Sequence, residues 1–267
     1  MSTFCWGTEE NLMKRISLIV ATLGVVSSAF AVDVTAIDGS QGWFGNGFSG
    51  GGTATLVASP TNDGDGSLQM TGDRSRVNLD GGQSGFGTLG ALAAGNIQAD
   101  LYRDGASTGT AHYQIAIGLY VRNAANQTGS ITWEGAYNGY VSGMDDTWLN
   151  DVIMGGTGQW WIRSGGWSYD QVANMKSLLD WTGGSTVTDS GNTSIALGLD
   201  TVITGIEFKV GSGVPGGTFI GNIDDFQIAF DGGFSETYNF QAVPEPMTMS
   251  VLGLGAAALI RKRRRNK

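Results

Sequence analysis

The chain has 267 residues, 44 of them glycine and only four proline, with 24 acidic against 15 basic side chains and a formal net charge of −9. Glycine at about twice its usual share without matching proline or a strict repeat excludes collagen-like and proline-rich disordered chains, and the acidity makes nucleic acid and anionic lipid poor partners. A single cysteine and a single histidine exclude His-based metal centres and leave a Ser-His-Asp triad only through His112, for which a surface role in a strand is the simpler reading.

At the N-terminus, Lys14-Arg15, the apolar run Ile16 to Val26 and the small-residue site Ala29-Phe30-Ala31 read as a secretory signal peptide, over residues 1–31, cut before Val32 by way of the translocon. Thr8, Glu9, Glu10 and Asn11 are foreign to the start of such a leader, so Met13 is the expected first residue. Cys5 then disappears, and the mature chain carries neither disulfide nor thiol. Residues 32–242 suffice for one large β domain. That stretch keeps seven basic residues against 21 acidic ones, because most of the positive charge lies in the two termini.

Along the domain, Asp-Gly and Gly-Gly steps such as Asp63-Gly64-Asp65-Gly66, Asp80-Gly81-Gly82 and Asp231-Gly232-Gly233 mark turns. Between them, period-two apolar patterns predict strands at Ser67 to Met70, Ser75 to Leu79, Asn96 to Tyr102, His112 to Arg122, Gly129 to Tyr137, Thr201 to Val210 and Phe219 to Phe230. In His112 to Arg122 one face is core, and the other is polar without being charged throughout, as on a sheet open to solvent or ligand. Asp63-Gly-Asp65-Gly-Ser67 spaces oxygen ligands two apart, so a structural calcium is considered there beside the alternative of a plain turn.

The middle third gathers Trp133, Tyr137, Tyr140, Trp148, Trp160, Trp161, Trp167 and Trp181 among amide and carboxylate side chains, a mixture suited to glycans. Trp148, Trp160, Trp161, Tyr140 and Glu134 are the candidate contacts. A strand would turn Trp160 and Trp161 to opposite sides, leaving one for the surface and one for the core. Glu134 is also the best single carboxylate for a glycosidase, a reading that needs a second acid placed correctly in space. Ser168 and Gln171 form a capping-box pattern, with Val172, Met175, Leu178 and Leu179 on one side of a helix expected near 168–181. Thr182 to Ser194 reads as a loop.

Ile206-Glu207-Phe208-Lys209-Val210 followed by Gly221-Asn222-Ile223-Asp224-Asp225-Phe226-Gln227-Ile228 resembles the closing strands of galactose-binding-like and carbohydrate-binding jelly rolls. The resemblance implies an all-β, antiparallel, jelly-roll-like sandwich, and a structural calcium at one of the matching acids Asp224 and Asp225; Asp225 is the residue that would complete the site read above from the spacing of Asp63 and Asp65.

The C-terminal residues 243–267 combine Val243-Pro244-Glu245-Pro246, an apolar run from Met247 to Ile260 and the basic block Arg261-Lys262-Arg263-Arg264-Arg265. This order of parts resembles the PEP-CTERM sorting signal, which implies recognition and removal by an exosortase in a Gram-negative bacterium. As a helix the 14 apolar residues rise about 21 Å, short of the roughly 30 Å hydrocarbon core, which suits a transient anchor with the basic block on the cytoplasmic side. Hydrophobic signal helices are thus expected at both ends. The mature region also resembles uncharacterised PEP-CTERM proteins, in stretches such as Trp133-Glu134-Gly135-Ala136-Tyr137-Asn138-Gly139. The expected function is that of an exported, non-catalytic surface or matrix protein associated with exopolysaccharide. The alternatives are a glycan-binding module with a defined sugar site and a glycoside hydrolase.

Overall fold

The structure is a computed structural model that describes residues 31–62, 66–109, 114–140, 144–164, 175–188, 194–211 and 218–242. The chain divides into two units, Met1–Phe30 and Ala31–Lys267, and every described residue belongs to the second. Both expected signal helices, with Ala29, the sorting motif Val243 to Pro246 and the basic block Arg261 to Arg265, lie outside the described residues. So do Asp63 and Asp65. Among the described residues no helix is long and apolar enough to cross a membrane.

The described chain is mostly strand. One sheet holds β1 (Val32–Val34), β3 (Thr53–Val57), β4 (Ser67–Gly72), β7 (Asn96–Arg103), β10 (Trp148–Ile153), β15 (Phe219–Ala229) and β16 (Ser235–Phe240). The other runs β11 (Trp160–Ser164), β9 (Thr128–Trp133), β8 (Ala116–Arg122), β14 (Val202–Val210), β5 (Arg74–Asp80), β2 (Trp43–Ser49), with β6 (Gly87–Thr88) on the end of β14. We call these the first and second sheets. All pairings between these strands are antiparallel except β1 on β16, which is parallel and sets Val32 beside Tyr238 and Val34 beside Phe240.

Alternation decides which way each strand faces. Ile117, Leu119, Val121, Ile131, Trp133, Ile206, Phe208, Val77 and Leu79 of the second sheet share one buried core with Leu68, Met70, Ile97, Ala99, Leu101, Ile223, Phe226 and Ile228 of the first. At its centre Trp43 stacks on Phe208 at 4.8 Å and meets Tyr238 and Phe240 edge-on at 5.2 and 5.4 Å. Such aromatic pairs add about 0.5–1.5 kcal/mol each beyond the area they bury. They fasten one sheet to the other.

Three expected elements are corrected. The helix expected over 168–181 is in its described part only Leu178–Trp181, here α2, capped by Ser177 whose Oγ accepts from Asp180 N at 3.1 Å. Lys176 exchanges two backbone hydrogen bonds with Trp160, at 2.8 and 3.0 Å, so the backbone is still extended one residue before the cap. Ser168, Gln171 and Val172 lie outside the described residues. The loop expected over 182–194 is instead a hairpin of β12 (Gly183–Thr188) and β13 (Ser194–Gly198), residues 189–193 lying outside the described set. A short helix that the periodicity does not predict, α1 (Leu89–Ala93), buries Leu89 and Leu92. The strand expected over Gly129 to Tyr137 stops at Trp133, and a single 3-10 turn at Gly135–Tyr137 follows.

Candidate functional site

The outward side of the second sheet carries a connected cluster of polar and charged side chains. Register places Trp161, Thr132, Gly118, Glu207, Asn78 and Phe44 in one line across β11, β9, β8, β14, β5 and β2. Beside that line, Lys209 is opposite Ala116 on β8 and Arg76 on β5, and Tyr120 is opposite Ser130 on β9. Each of these residues precedes or follows a core residue in its strand, so the same alternation that buries one side delivers polar groups to the other.

Glu207 is the hub. It is 7% exposed; its Oε1 takes a hydrogen bond from the Tyr120 hydroxyl at 2.9 Å and lies 3.2 Å from Arg76 Nε, and its Oε2 lies 3.3 Å from Lys209 Nζ. From β14 the Lys209 side chain crosses β8 to donate to Thr132 Oγ1 on β9 at 2.7 Å, ending 5.8 Å from the Trp161 ring centroid. The crossing needs Gly118. A Cβ there would stand 3.1 Å from Lys209 Nζ and 3.2 Å from Glu207 Oε2, a spacing that would force the pair to move. Burial pushes the Lys209 ammonium below the usual lysine range, Glu207 and Glu134 pulling it back up and Arg76 adding to the depression.

Glu134 stands where β9 ends, in extended backbone on the side opposite Ile131 and Trp133, which are both fully buried. Burial raises its pKa, while the Lys209 charge and the Trp161 indole favour its ionised form. Trp161 Nε1 has no partner within hydrogen-bond geometry, so it faces the carboxylate at longer range. Burial likewise raises the pKa of Tyr120, with the Glu207 charge and hydrogen bond adding to it. Three more buried polar atoms lack partners: Asn78 Nδ2 and Oδ1 on β5, and Gln114 Oε1 just before β8.

The other predicted residues lie elsewhere. Trp160 is a correction: it is fully buried, its indole donates to Met154 O at 2.8 Å and its own carbonyl accepts from Trp181 Nε1 at 3.0 Å, so no sugar face can reach it. Tyr140 packs edge-on against Trp133 at 5.6 Å at the margin of the core. Trp148 is half-buried on β10, against Tyr102 at 5.5 Å. The two face away from the core on the first sheet, so Trp148 and Trp161 belong to opposite surfaces.

On that first sheet, Asp224 and Asp225 sit where β15 exchanges β4 for β16 as its neighbour. Asp225 adopts φ 45° at the bulge between Asp224 and Gln227. Asp224 is 1% exposed, and its Oδ1 accepts from Phe240 N at 2.8 Å. Burial pushes its pKa up to about 7, Asp225 and Asp100 adding to the rise and backbone N–H groups opposing it. Asp100, its partner across β7, accepts from Asn62 Nδ2 and from Asp151 N. Ser67, the last oxygen of the expected calcium loop, donates to Pro60 O and accepts from Asn222 Nδ2, each at 2.9 Å. Among the described residues no three acids, histidines or cysteines gather as metal ligands do.

Arg76, Tyr120, Glu207 and Lys209 are the members of the second-sheet cluster that strand-by-strand reading misses. The available signal is the segment Ile206-Glu207-Phe208-Lys209-Val210, where two opposite charges alternate with core residues and so must share one face. No protein-family model matches this chain, and no curated protein is detectably similar to it.

Proposed function

We propose that this chain is an exported, non-catalytic surface or matrix protein of a Gram-negative bacterium, sorted by a PEP-CTERM-type segment and trimmed by an exosortase. Its mature part is a jelly-roll-like antiparallel sandwich that holds exopolysaccharide on the outward face of the second sheet. The observation that carries the binding role is the rim of that face: the half-buried Trp161 indole, the half-buried Glu134 carboxylate and the exposed Tyr120 phenol beside a sealed ion cluster. Sugars offer C–H faces to indoles and hydroxyls to amides and carboxylates. A hydrolase would need two free carboxylates, and Glu207 has both oxygens occupied.

The export reading rests on the two termini. It fits the fold that β1 begins at Val32, directly after the expected cut, and that β16 ends at Phe240, a few residues before the expected sorting motif. Gln241 is tied to β1 by its N–H to Val34 O at 2.9 Å and its side chain to Asp33 Oδ1 at 2.8 Å. Mass spectrometry of the released protein tests the reading: the expected N-terminus is Val32 and the expected product lacks the 261–265 block. A product that keeps both ends would end it. Replacing Pro244 and Pro246 with alanine lets the C-terminal helix extend, and the expected result is retention in the inner membrane.

A further inference from the structure

We infer that Asn46 is a site of spontaneous deamidation, converted with time and without an enzyme to aspartate and isoaspartate, and that Asn138 is protected from the same reaction. Both asparagines precede a glycine, and both glycines hold a left-handed φ, +62° at Gly47 and +86° at Gly139. In such a step the glycine nitrogen, with no side chain to shield it, loses its proton and attacks the asparagine carbon Cγ. The N–Cγ bond forms, the Cγ–Nδ2 bond breaks and ammonia leaves, which closes a five-membered imide. Water then opens the ring at either carbonyl. The net change takes one amide and one water to one carboxylate and one ammonium ion.

The fold treats the two steps differently. Asn46 is exposed on β2, where pairing passes from Asn46 opposite Arg76 to Ser49 opposite Arg74 and leaves a bulge at Gly47. Among the described residues its side-chain amide takes part in no hydrogen bond. Asn138 is half-buried and held three times: Oδ1 accepts from Gln159 N at 2.7 Å, and Nδ2 donates to Glu134 O at 2.9 Å and to Gln159 O at 3.0 Å. Its carboxamide must give up those bonds to reach the Gly139 nitrogen, which at the ordinary net strength of hydrogen bonds slows the step by about ten-fold or more. Charge also favours Asn46. A Cβ on Gly47 would stand 3.2 Å from Arg76 Cγ and 3.9 Å from Arg74 Nη2, so two cationic side chains flank the nitrogen that must become anionic. The product carboxylate then faces Arg76 across the strand pair, and Arg76 is in turn opposite Lys209. The reaction thus adds a further carboxylate to the face where Glu207 already holds both cations.

Incubation of the purified full-length protein at pH 8 and 37 °C, followed by peptide mass spectrometry, tests this. The peptide holding Asn46 should gain about 1 Da, as aspartate and isoaspartate, at least about ten-fold faster than the peptide holding Asn138. In urea strong enough to unfold the domain the two peptides should react at similar rates, because the hydrogen bonds that protect Asn138 are gone. Asn46→Gln, whose longer side chain would have to close a six-membered ring, should leave that peptide unmodified over the same period. A wild-type Asn46 peptide that keeps its mass in the folded protein overturns the inference, whatever happens in urea. Asn138 reacting as fast as Asn46 in the folded protein overturns it too.

Discussion

Two carboxylates are buried on opposite outer surfaces of the domain, and their neighbours give them opposite chemistry. Glu207 on the second sheet has two cations and a phenol around it. Asp224 on the first has backbone donors and two other acids. Burial costs a charged group several kcal/mol wherever it occurs, so what differs is how the cost is met. Glu207 is held as one member of an ionic cluster, whereas the surroundings of Asp224 favour a proton. The difference teaches that acidic residues of this chain are not interchangeable solubilising charge, although composition alone would read them so.

The largest expected break in this contrast is Glu207→Gln. It leaves Arg76 and Lys209 buried without their carboxylate and should cost about 3–5 kcal/mol, read as a lower melting temperature. The matching change on the other sheet, Asp224→Asn, should do the reverse at neutral pH. A folded pKa of about 7 lies above the unfolded value of about 3.9, so the stabilising contribution is complete below pH 4 and is lost as pH rises to 7. Wild type should therefore lose a few kcal/mol across that window that the asparagine variant keeps, measured by urea melts at pH 4, 5.5 and 7.5. If instead Asp224 and Asp225 hold calcium, millimolar calcium removes the slope and a chelator restores it.

Gly118→Ala sharpens the account of Lys209. The added Cβ meets the ammonium and the Glu207 carboxylate at 3.1 and 3.2 Å, and a loss of about 1–3 kcal/mol is expected. Tyr120→Phe should be the mildest, at about 1 kcal/mol, because it removes one hydrogen bond at a partly exposed site and leaves the two cations in place. A larger loss for Tyr120→Phe than for Glu207→Gln would show that the phenol, not the ion pairs, holds the cluster.

Strands with clean alternation were legible: β4, β5, β7, β14 and β15 fall where the period-two pattern puts them, as does the described part of the 112–122 pattern, β8. β2 was not, because Gly45 and Gly47 interrupt its pattern, and its Trp43 is recognisable as core only once Phe208 and Phe240 stand against it. The β12–β13 hairpin was hidden by glycine, serine and threonine, which suit loops and hairpins alike. Of the second-sheet face, Glu134 followed from position in a strand, as did the placing of one of Trp160 and Trp161 outside, though not which of the two. Arg76, Tyr120 and Glu207 could not be assembled the same way, because register between β5, β8 and β14 joins residues 87 positions apart in the case of Tyr120 and Glu207. The split of the tryptophans between two surfaces was equally invisible, since sheet membership is set by pairing and not by composition.

That split makes the most direct test. The purified protein, wild type and its Trp161→Ala and Trp148→Ala variants, is co-sedimented with purified bacterial exopolysaccharide, with melting curves to establish folding. The account predicts that wild type and Trp148→Ala sediment with the polysaccharide and that Trp161→Ala stays in solution. Retention of Trp161→Ala, loss of Trp148→Ala instead, or failure of the wild type to sediment would contradict it.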